Sequence, residues 1–404
     1  MALEVGTCSS LEELRDGLNA ISHYFGFEQP LEDVERFSVL LTPERMHVAR
    51  DGERIVGGAG VFPYRMSVPG GEVAAAGVTV VGVLPTHRRR GALTAMMRAQ
   101  LADVRGRGEA VAYLWASEPT IYGRFGYGLA SRIASVSIPV ERARFAQPFE
   151  PRGVVRLVDA DEAARTFPPL YEQMRAQRPG MFSRTEEWWR LRRVEDPPER
   201  RHGRGPKNLA LLELDGEPAG YAIYHVKQDW QGGSSTGTVT IVEPVAPTPE
   251  ASRELWHWLL AFDWTSKFSV DLLPVDHELY LLLAEGRRSE FTLNDGVWVR
   301  LVDVGAALSA RSYRGDDAVV FEVTDSFLPE NTGRWRVAAG GVERIEAAAD
   351  IELDVTALGS AYLSGFSFAE LVRASRAREL VAGAAARADA LFATDAAPWC
   401  PEIF

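Results

Sequence analysis

The sequence contains one order of predicted elements twice. In the first copy, a hairpin that turns at Asp51 is followed by a β-branched strand over 78–83 and then by a helix. In the second copy, a hairpin that turns at Asp215 is followed by a strand beginning at Val239 and again by a helix. Each turn is an Asp-Gly pair, which supplies the positive φ angles of a two-residue hairpin turn. The nearly constant spacing favours a duplicated domain, with a chance match as the alternative because this order of elements is common.

Length and composition indicate a globular protein of two or three domains. The chain has 404 residues, of which 46% are hydrophobic and 25% charged, and one domain takes roughly 150 residues. We expect a mixed-sheet α/β domain over 1–150, a second one over 151–294 and a small α+β domain over 295–404. The last boundary lies at a turn cluster, Leu293-Asn-Asp-Gly296.

Charge and residue usage disfavour several classes of protein. The chain has 44 basic and 56 acidic residues, a net charge of −12, which disfavours a general nucleic-acid binder and suits a cationic partner. It has no apolar stretch of ~18 residues, so we expect no membrane span. Its N-terminus lacks a signal-peptide pattern, which predicts a cytoplasmic protein. The two cysteines, Cys8 and Cys400, and seven scattered histidines predict neither a disulfide framework nor a metal site.

The clearest chemical signal is a buried strand followed by three arginines, a glycine and a helix. Residues 78–83 are the strand, Arg88 to Arg90 are the arginines and Gly91 precedes the helix. A helix N-terminus exposes unpaired N–H groups and the positive end of the helix dipole, so arginines there are unfavourable unless an anion binds. A pyrophosphate would contact the N–H groups and the guanidinium groups together. A solvated basic turn is the alternative.

Two segments of the chain resemble motifs of the GNAT superfamily of N-acetyltransferases. The segment from Val81 to Ala92 resembles the acetyl-CoA loop, V-x-P-x-x-[RQ]-x-x-G-x-[GA], with Arg88 in the Arg/Gln position. Leu93 stands where glycine or alanine is usual. The segment that begins at Ala116 resembles the Y-x-x-x-G-[FY] element of the superfamily and places Tyr122 at its tyrosine.

The whole chain is similar to the Eis (enhanced intracellular survival) acetyltransferases, actinobacterial enzymes that acetylate aminoglycosides and other amines. The duplicated domain, the small third domain and the Trp-Cys…Phe tail carry this resemblance beside the two motifs. It implies two tandem GNAT-like domains, a sterol-carrier-like third domain that brings the chain terminus into the first domain's active site, and a homo-hexamer.

The resemblance also implies which residues hold acetyl-CoA. The backbone of one strand would face the pantetheine arm and the acetyl carbonyl: Val81, Gly82 and Val83. The loop and the helix start would cradle the pyrophosphate: Arg88, Arg89, Arg90, Gly91, Ala92, Leu93 and Thr94. Two further residues would lie beside the pantetheine: Ser117 and Glu118. Direct attack of an amine on the thioester needs no metal, and none is expected.

Tyr122 is the expected general acid, because a phenol with a pKa of ~10 can protonate a departing thiolate. A core tyrosine before a turn is the alternative. The resemblance implies that the α-carboxylate of Phe404 is the base. Such a group has an ordinary pKa of ~3.5, so it serves only if desolvation raises this pKa or if it acts through water and electrostatic attraction.

The acceptor side of the site is less defined by the sequence. His23 and Tyr24 end the first predicted helix and are candidates by position for lining the substrate site. Glu402 is a candidate for attracting a polycation, with a solvated tail charge as the alternative. The expected acceptor is an aminoglycoside or a lysine-bearing peptide, in keeping with the net charge of −12. Acetylation of protein lysines and non-catalytic binding of a lipid or coenzyme A remain as alternatives.

Overall fold

The structure, a computed structural model, describes residues 3–201 and 203–404. These residues form two compact units. One contains the described residues up to 131 together with 297–395 and 403–404, and the other contains 132–296 and 396–402. Across the described residues, no helix combines the length and the apolar run that a membrane crossing requires.

The N-terminal part of the first unit alternates strands and helices. Its strands are β1 Glu4–Thr7, β2 Met46–Asp51, β3 Arg54–Val68, β4 Gly71–Val83, β5 Val111–Trp115 and β6 Gly128–Leu129. Its helices are α1 Leu11–Phe25, α2 Leu31–Phe37, α3 Ala92–Gly106 and α4 Pro119–Tyr122. Helix α1 begins where the Ser10 side chain accepts a hydrogen bond from the Glu13 N–H, and it ends at Gly26, whose φ is 74°.

The second unit has the same alternation. Its strands are β7 Arg132–Pro139, β8 Val154–Leu157, β9 Lys207–Leu214, β10 Glu217–Lys227, β11 Trp230–Gln231, β12 Ser234–Ser235, β13 Thr238–Val245, β14 Lys267–Pro274 and β15 Glu290–Asp295. Its helices are α5 Ala160–Arg175, α6 Glu186–Trp188, α7 Pro249–Leu259 and α8 Leu279–Leu282. A π-helical segment, Trp189–Val194, continues directly from α6.

The last part of the chain returns to the first unit. Its strands are β16 Val297–Leu301, β17 Ala318–Thr324, β18 Gly333–Ala338, β19 Gly341–Ile345, β20 Ile351–Asp354 and β21 Ala377–Glu379. Its helices are α9 Val304–Ser309, α10 Val355–Tyr362, α11 Phe368–Arg373 and α12 Ala384–Phe392. The pattern over 378–392 predicts one helix, but Gly383, with a φ of 82°, is the N-cap of α12, so the helix begins only at Ala384. Arg378 and Glu379 belong instead to β21, which pairs with β20.

The two seven-stranded sheets repeat one topology. The first has the order β1-β2-β3-β4-β5-β16-β6, and the second, taken from its opposite edge, has the order β8-β9-β10-β13-β14-β7-β15. In each sheet a hairpin precedes a long strand, which pairs in parallel with the strand after the next helix. The duplication predicted from the repeated hairpin is therefore present in the fold.

Two strands do not join the sheet that the sequence order suggests. The strand expected over 133–140 as part of the first sheet is β7, and it pairs with β14 and β15 in the second sheet. The strand expected at 298–304 in the third domain is β16, which pairs with β5 and β6 in the first sheet. Alternating hydrophobicity predicts that a strand forms but does not identify its neighbours.

Candidate active site

The first sheet opens into a fork between its two central parallel strands. Strands β4 and β5 pair over only three positions, from Ala75 with Val111 to Gly77 with Tyr113. Strand β4 then continues to Val83, whereas β5 runs on to Trp115 in pairing with β16 on its other side. The backbone of β4 beyond Gly77 therefore faces the space between the two strands.

A β-bulge lies in the part of β4 that forms one arm of the fork. The register between β3 and β4 shifts between Gly58 and Gly60, and Val80 on β4 has a φ of 47°. A positive φ is unusual for a β-branched residue, and such strain concentrates at functional sites. The bulge redirects the backbone groups of the residues that follow, which are the predicted acetyl-CoA residues Val81, Gly82 and Val83.

The basic loop joins the end of β4 to the start of α3. Gly91 has a φ of 86° and is the N-cap of α3, where no side chain caps the helix. A Cβ on Gly91 would meet nothing within 4 Å, so the first N–H groups of the helix, at Ala92, Leu93 and Thr94, are approachable. Arg88, Arg89 and Arg90 are exposed beside them. This arrangement fits a pyrophosphate.

Asp51, the last residue of β2, pairs with Arg54 across the first hairpin and holds one side of this loop in place. Its Oδ2 atom lies 3.2 Å from Arg90 Nη1 and 3.2 Å from His87 Nε2. The other ring nitrogen of His87 lies 2.8 Å from the Thr86 hydroxyl. The hydrogen bond from Arg90 lowers the pKa of Asp51, so the carboxylate is ionised and orients the loop. The Asp-Gly pattern predicted a two-residue turn at Asp51-Gly52, but the turn is formed by Gly52 and Glu53, and the pattern contained no signal for this contact.

Tyr122 lies at the fork. It ends α4, is 7% exposed and packs in the same hydrophobic cluster as Val78 and Leu114, which follow the last paired residues of β4 and β5. Burial raises the pKa of the Tyr122 phenol to about 12, so the group keeps its proton at neutral pH. A protonated phenol can donate a hydrogen bond. The predicted pantetheine residues Ser117 and Glu118 are exposed in the segment that leads into α4.

Phe404 also reaches the fork. Its ring centre lies 4.9 Å from that of Tyr113 and 5.3 Å from that of Tyr64, both in edge contacts. A Cβ on Gly77, the partner of Tyr113, would lie 3.3 Å from Phe404 Cε2 and only 2.2 Å from Tyr64 Cε2. Gly77 is therefore required for this packing. The sequence contained no signal for Tyr64 or Gly77, because their contact with the terminal residue arises only in the folded sheet.

Tyr24 lies at the end of β4. Its hydroxyl donates a hydrogen bond of 2.6 Å to the Val83 carbonyl, and its side chain is 44% exposed. The ring of His23 is in edge contact with Tyr24 at 5.7 Å between ring centres. Both candidates from the end of the first helix are therefore exposed next to the predicted acetyl-CoA strand.

Glu402 does not fit the expected role of an acceptor-attracting or solvated charge. It is 4% exposed, and its Oε2 atom lies 3.0 Å from Arg184 Nη2 and accepts a 3.0 Å hydrogen bond from the Trp188 indole. Its charge is directed at arginines of the same unit, so we remove it from the acceptor-binding residues. The sequence did not indicate that Glu402 is buried, because it lies only two residues before Phe404.

Comparison with known proteins identifies the domains. Residues 9–130 and 180–301 each match a family described as an acetyltransferase (GNAT) domain, and residues 304–401 match a sterol carrier protein domain. The predicted fold, two GNAT-like domains and a sterol-carrier-like domain, is confirmed.

Full-length relatives agree with these matches. An uncharacterized N-acetyltransferase of Streptomyces avermitilis is 41% identical over 390 residues, which cover 95% of each chain. The N-acetyltransferase Eis of Mycobacterium tuberculosis is 34% identical over 414 residues, covering 97% of this chain and 98% of that protein. The crystal structure of Eis1 from Mycobacterium abscessus has a TM-score of 0.87 at 34% identity, over 99% of this chain and 100% of that one.

The forked sheet, the basic loop and the two matched domains define a GCN5-related N-acetyltransferase, a class of enzyme whose fold implies acetyl-CoA as the co-substrate. The chain belongs, within that class, to the Eis family of N-acetyltransferases. The alternative of a non-catalytic lipid-binding or coenzyme-binding protein is therefore wrong.

Proposed function

We propose that this enzyme transfers the acetyl group of acetyl-CoA to an amine of a cationic, aminoglycoside-like acceptor, with Tyr122 as general acid and the Phe404 carboxylate as base. The observation that carries the proposal is the meeting of two residues far apart in the sequence at one fork. Tyr122 packs with the first residues beyond the last β4–β5 pair, and the Phe404 ring packs on that pair itself.

Acetyl-CoA would lie along the arm of the fork formed by β4. The backbone of Val81 to Val83, redirected by the bulge, would hold the pantetheine arm. The uncapped start of α3 and the exposed arginines of the loop would hold the pyrophosphate, where the helix dipole and the guanidinium charges favour an anion. Ser117 and Glu118 lie on the segment that leads to Tyr122 and would flank the pantetheine.

The reaction would be a direct acyl transfer. The neutral amine nitrogen forms a bond to the acetyl carbon, the carbon–sulfur bond breaks, and the nitrogen releases its proton toward the Phe404 carboxylate. The departing sulfur accepts the Tyr122 proton. A thiol has a pKa of ~8.5, below the value of about 12 for Tyr122, so this proton transfer is uphill. We infer that Tyr122 first stabilises the sulfur charge by a hydrogen bond and transfers its proton late.

The base would act mainly through attraction and water. An α-carboxylate with an ordinary pKa of ~3.5 is too weak to deprotonate an ammonium group near ~10 directly. A carboxylate near the acceptor nitrogen instead attracts the cation and accepts the proton through a bridging water. A polycationic acceptor also fits the net charge of −12, which attracts cations over long distances.

The test is thiol release from acetyl-CoA on addition of kanamycin, with a lysine-rich peptide in parallel. We expect release with kanamycin, loss of release in Tyr122→Phe, and loss in a form extended by one glycine after Phe404. Tyr280→Phe, at a tyrosine that is 48% exposed, is the matched control and keeps full activity. Release with the peptide alone would assign the enzyme to lysine acetylation instead.

We also propose that the enzyme is a homo-hexamer. The proposal rests on the similarity to the Eis family over the whole chain. Light scattering coupled to size exclusion measures the mass directly, and the expected value is six times the 44.5 kDa of one chain. A mass of one, two or three chains would contradict the proposal.

A further inference from the structure

The residues just before the chain terminus are buried in the second unit. The Trp399 N–H donates to the Pro179 carbonyl at 2.8 Å, and the Trp399 indole donates to the Leu272 carbonyl at 3.0 Å. The Ala397 N–H donates to Asp276 Oδ2 at 2.9 Å. Cys400 has no exposed surface. The segment 396–402 is therefore a bound peptide within this unit and not a loose tail.

This peptide contacts one arm of a second fork directly and the other arm through arginines. Strands β13 and β14 pair in parallel only from Thr238 to Ile241. The register between β10 and β13 shifts after Ile223, as the register between β3 and β4 shifts after Gly58 in the first sheet. Leu272, which accepts the Trp399 hydrogen bond, lies on β14 beyond its last pair with β13. This second fork corresponds to the fork between β4 and β5 in the first sheet, where acetyl-CoA is proposed to bind.

Glu243 marks the other arm. It lies on β13 four residues after Val239, as Gly82 lies on β4 four residues after Val78. The first copy has a glycine at this position, where an added Cβ would lie only 2.8 Å from Ile21 Cα of α1. The second copy has a fully buried carboxylate there. Glu243 accepts hydrogen bonds from Arg184, at 2.9 and 2.6 Å, and from the Tyr221 hydroxyl, at 2.6 Å.

The same arginines bind Glu402. Arg184 Nη2 lies 3.0 Å from Glu402, and Arg193 contacts both carboxylates, with Nη2 2.9 Å from Glu243 and Nη1 3.5 Å from Glu402. Arg192 Nε lies 3.5 Å from Glu402 as well. Arg192 and Arg193 belong to the π-helical segment. The π-helix is rare in proteins, and where it occurs it frequently lies at a functional site.

Burial alone would raise the pKa of Glu402, but the guanidinium groups of Arg193 and Arg184 lower it. The side chain is therefore a carboxylate that its buried partners require, because a buried guanidinium without a partner is strongly unfavourable. Glu402 therefore holds Arg184 and Arg193 in place, and the two arginines hold Glu402 in place.

We propose that Glu402 is a positioning residue for the reaction and that the second GNAT-like domain, in place of binding acetyl-CoA, anchors the chain terminus through Arg184 and Arg193. Two residues of extended chain span at most ~7 Å, so fixing Glu402 confines the Phe404 carboxylate to a small region. The inference rests on the proposed function, because it identifies the residues that hold the proposed base, the Phe404 carboxylate, in position.

Trp188→Phe and Glu402→Gln test the anchor. Trp188→Phe keeps an aromatic ring against Phe182, with which Trp188 is in edge contact at 5.3 Å, and removes the indole donor to Glu402. We expect kcat to fall about 10-fold with an unchanged KM for acetyl-CoA, because misplacing a catalytic group affects the chemical step. Carboxypeptidase A should release phenylalanine from the terminus several-fold faster than from the unmodified enzyme.

The control is Glu162→Gln, which weakens the ion pair between Glu162 and Arg156 in the same unit. It should change neither kcat nor the rate of phenylalanine release. Thermal unfolding identifies variants that fail to fold. If folded Glu402→Gln and folded Trp188→Phe both keep kcat and the release rate, the anchor is wrong. If instead the form extended by one glycine after Phe404 keeps its kcat, the assignment of the Phe404 carboxylate as base is wrong. The rate of phenylalanine release from the variants then still tests the anchor separately.

Discussion

The ring of Phe404 lies 4.9 Å from the ring of Tyr113, although the two residues are nearly three hundred positions apart. Tyr113 is the residue of β5 that forms the last pair with β4, at Gly77. The chain terminus is thus seated where the central strands of the first sheet part. Packing of this kind depends on small residues at the contact, and Gly77 provides the clearest test of it.

We predict that Gly77→Ala lowers kcat by about 10-fold or more while the KM for acetyl-CoA changes little. The added Cβ would lie 2.2 Å from Tyr64 Cε2 and 3.3 Å from Phe404 Cε2, so both rings must move, and small displacements of catalytic groups are costly. Steady-state kinetics measure the effect. Gly106→Ala, where a Cβ meets nothing within 4 Å, is the control. Equal kinetics for the two variants would contradict the prediction.

We predict that Asp51→Asn raises the KM for acetyl-CoA several-fold with little change in kcat. The substitution removes the charge that holds Arg90 and His87, which loosens the loop proposed to bind the pyrophosphate. The matched control is Asp215→Asn, at the equivalent turn of the second hairpin. Asp215 has a φ of 52°, which asparagine tolerates. An unchanged KM in Asp51→Asn would show that the contact has no part in binding.

We predict that Tyr122→Phe lowers kcat by about 100-fold or more, the usual contribution of a general acid. The phenol has a pKa of about 12, so it remains protonated between pH 7 and ~10, and the rate should show no alkaline decline due to Tyr122 over that range. A pH–rate profile of the unmodified enzyme tests this. An alkaline loss of kcat near pH 9 that disappears in Tyr122→Phe would contradict the direction of the shift.

We predict that Asp325→Asn destabilises the first unit by about 3 kcal/mol, since removing one partner of a buried ion pair leaves an unpaired charge. Asp325 Oδ2 lies 2.6 Å from Arg300 Nη2, and both side chains are almost fully buried. Urea unfolding measures the change. Asp395→Asn breaks the exposed pair with Arg314 and should leave stability unchanged. Equal stability of both variants would show that the buried pair contributes nothing.

The local parts of the site could be predicted from the sequence, whereas its long-range parts could not. The strand, the basic loop and the helix start at Ala92 form one continuous segment, and its residue types follow from the requirements of phosphate binding. The role of Asp51 could not be predicted, because an Asp-Gly turn is explained by its backbone conformation alone. The ring contacts of Phe404 depend on which strands are neighbours, which the sequence pattern leaves open.

The sheets show the same division. The sequence predicts the first helix over about 11–24, and α1 has nearly these bounds, because Ser10 and Gly26 are local signals. Strands β7 and β16 were predicted as strands but assigned to the wrong sheets, since their partners lie far away in the chain. The burial of Glu402 was missed for the same reason, because Arg184 and Arg193 approach it only after the second sheet has formed.

The exchange of Gly82 for Glu243 at equivalent positions has a consequence for the history of duplicated enzymes. After duplication, a copy that does not bind a nucleotide, as proposed above, would be free to lose its cleft, yet here the segment 396–402 of the same polypeptide is bound in the unit that contains this copy. In other chains with this architecture, an acid on the long strand of the second copy together with an acid close to the carboxyl end would identify descendants of the same conversion.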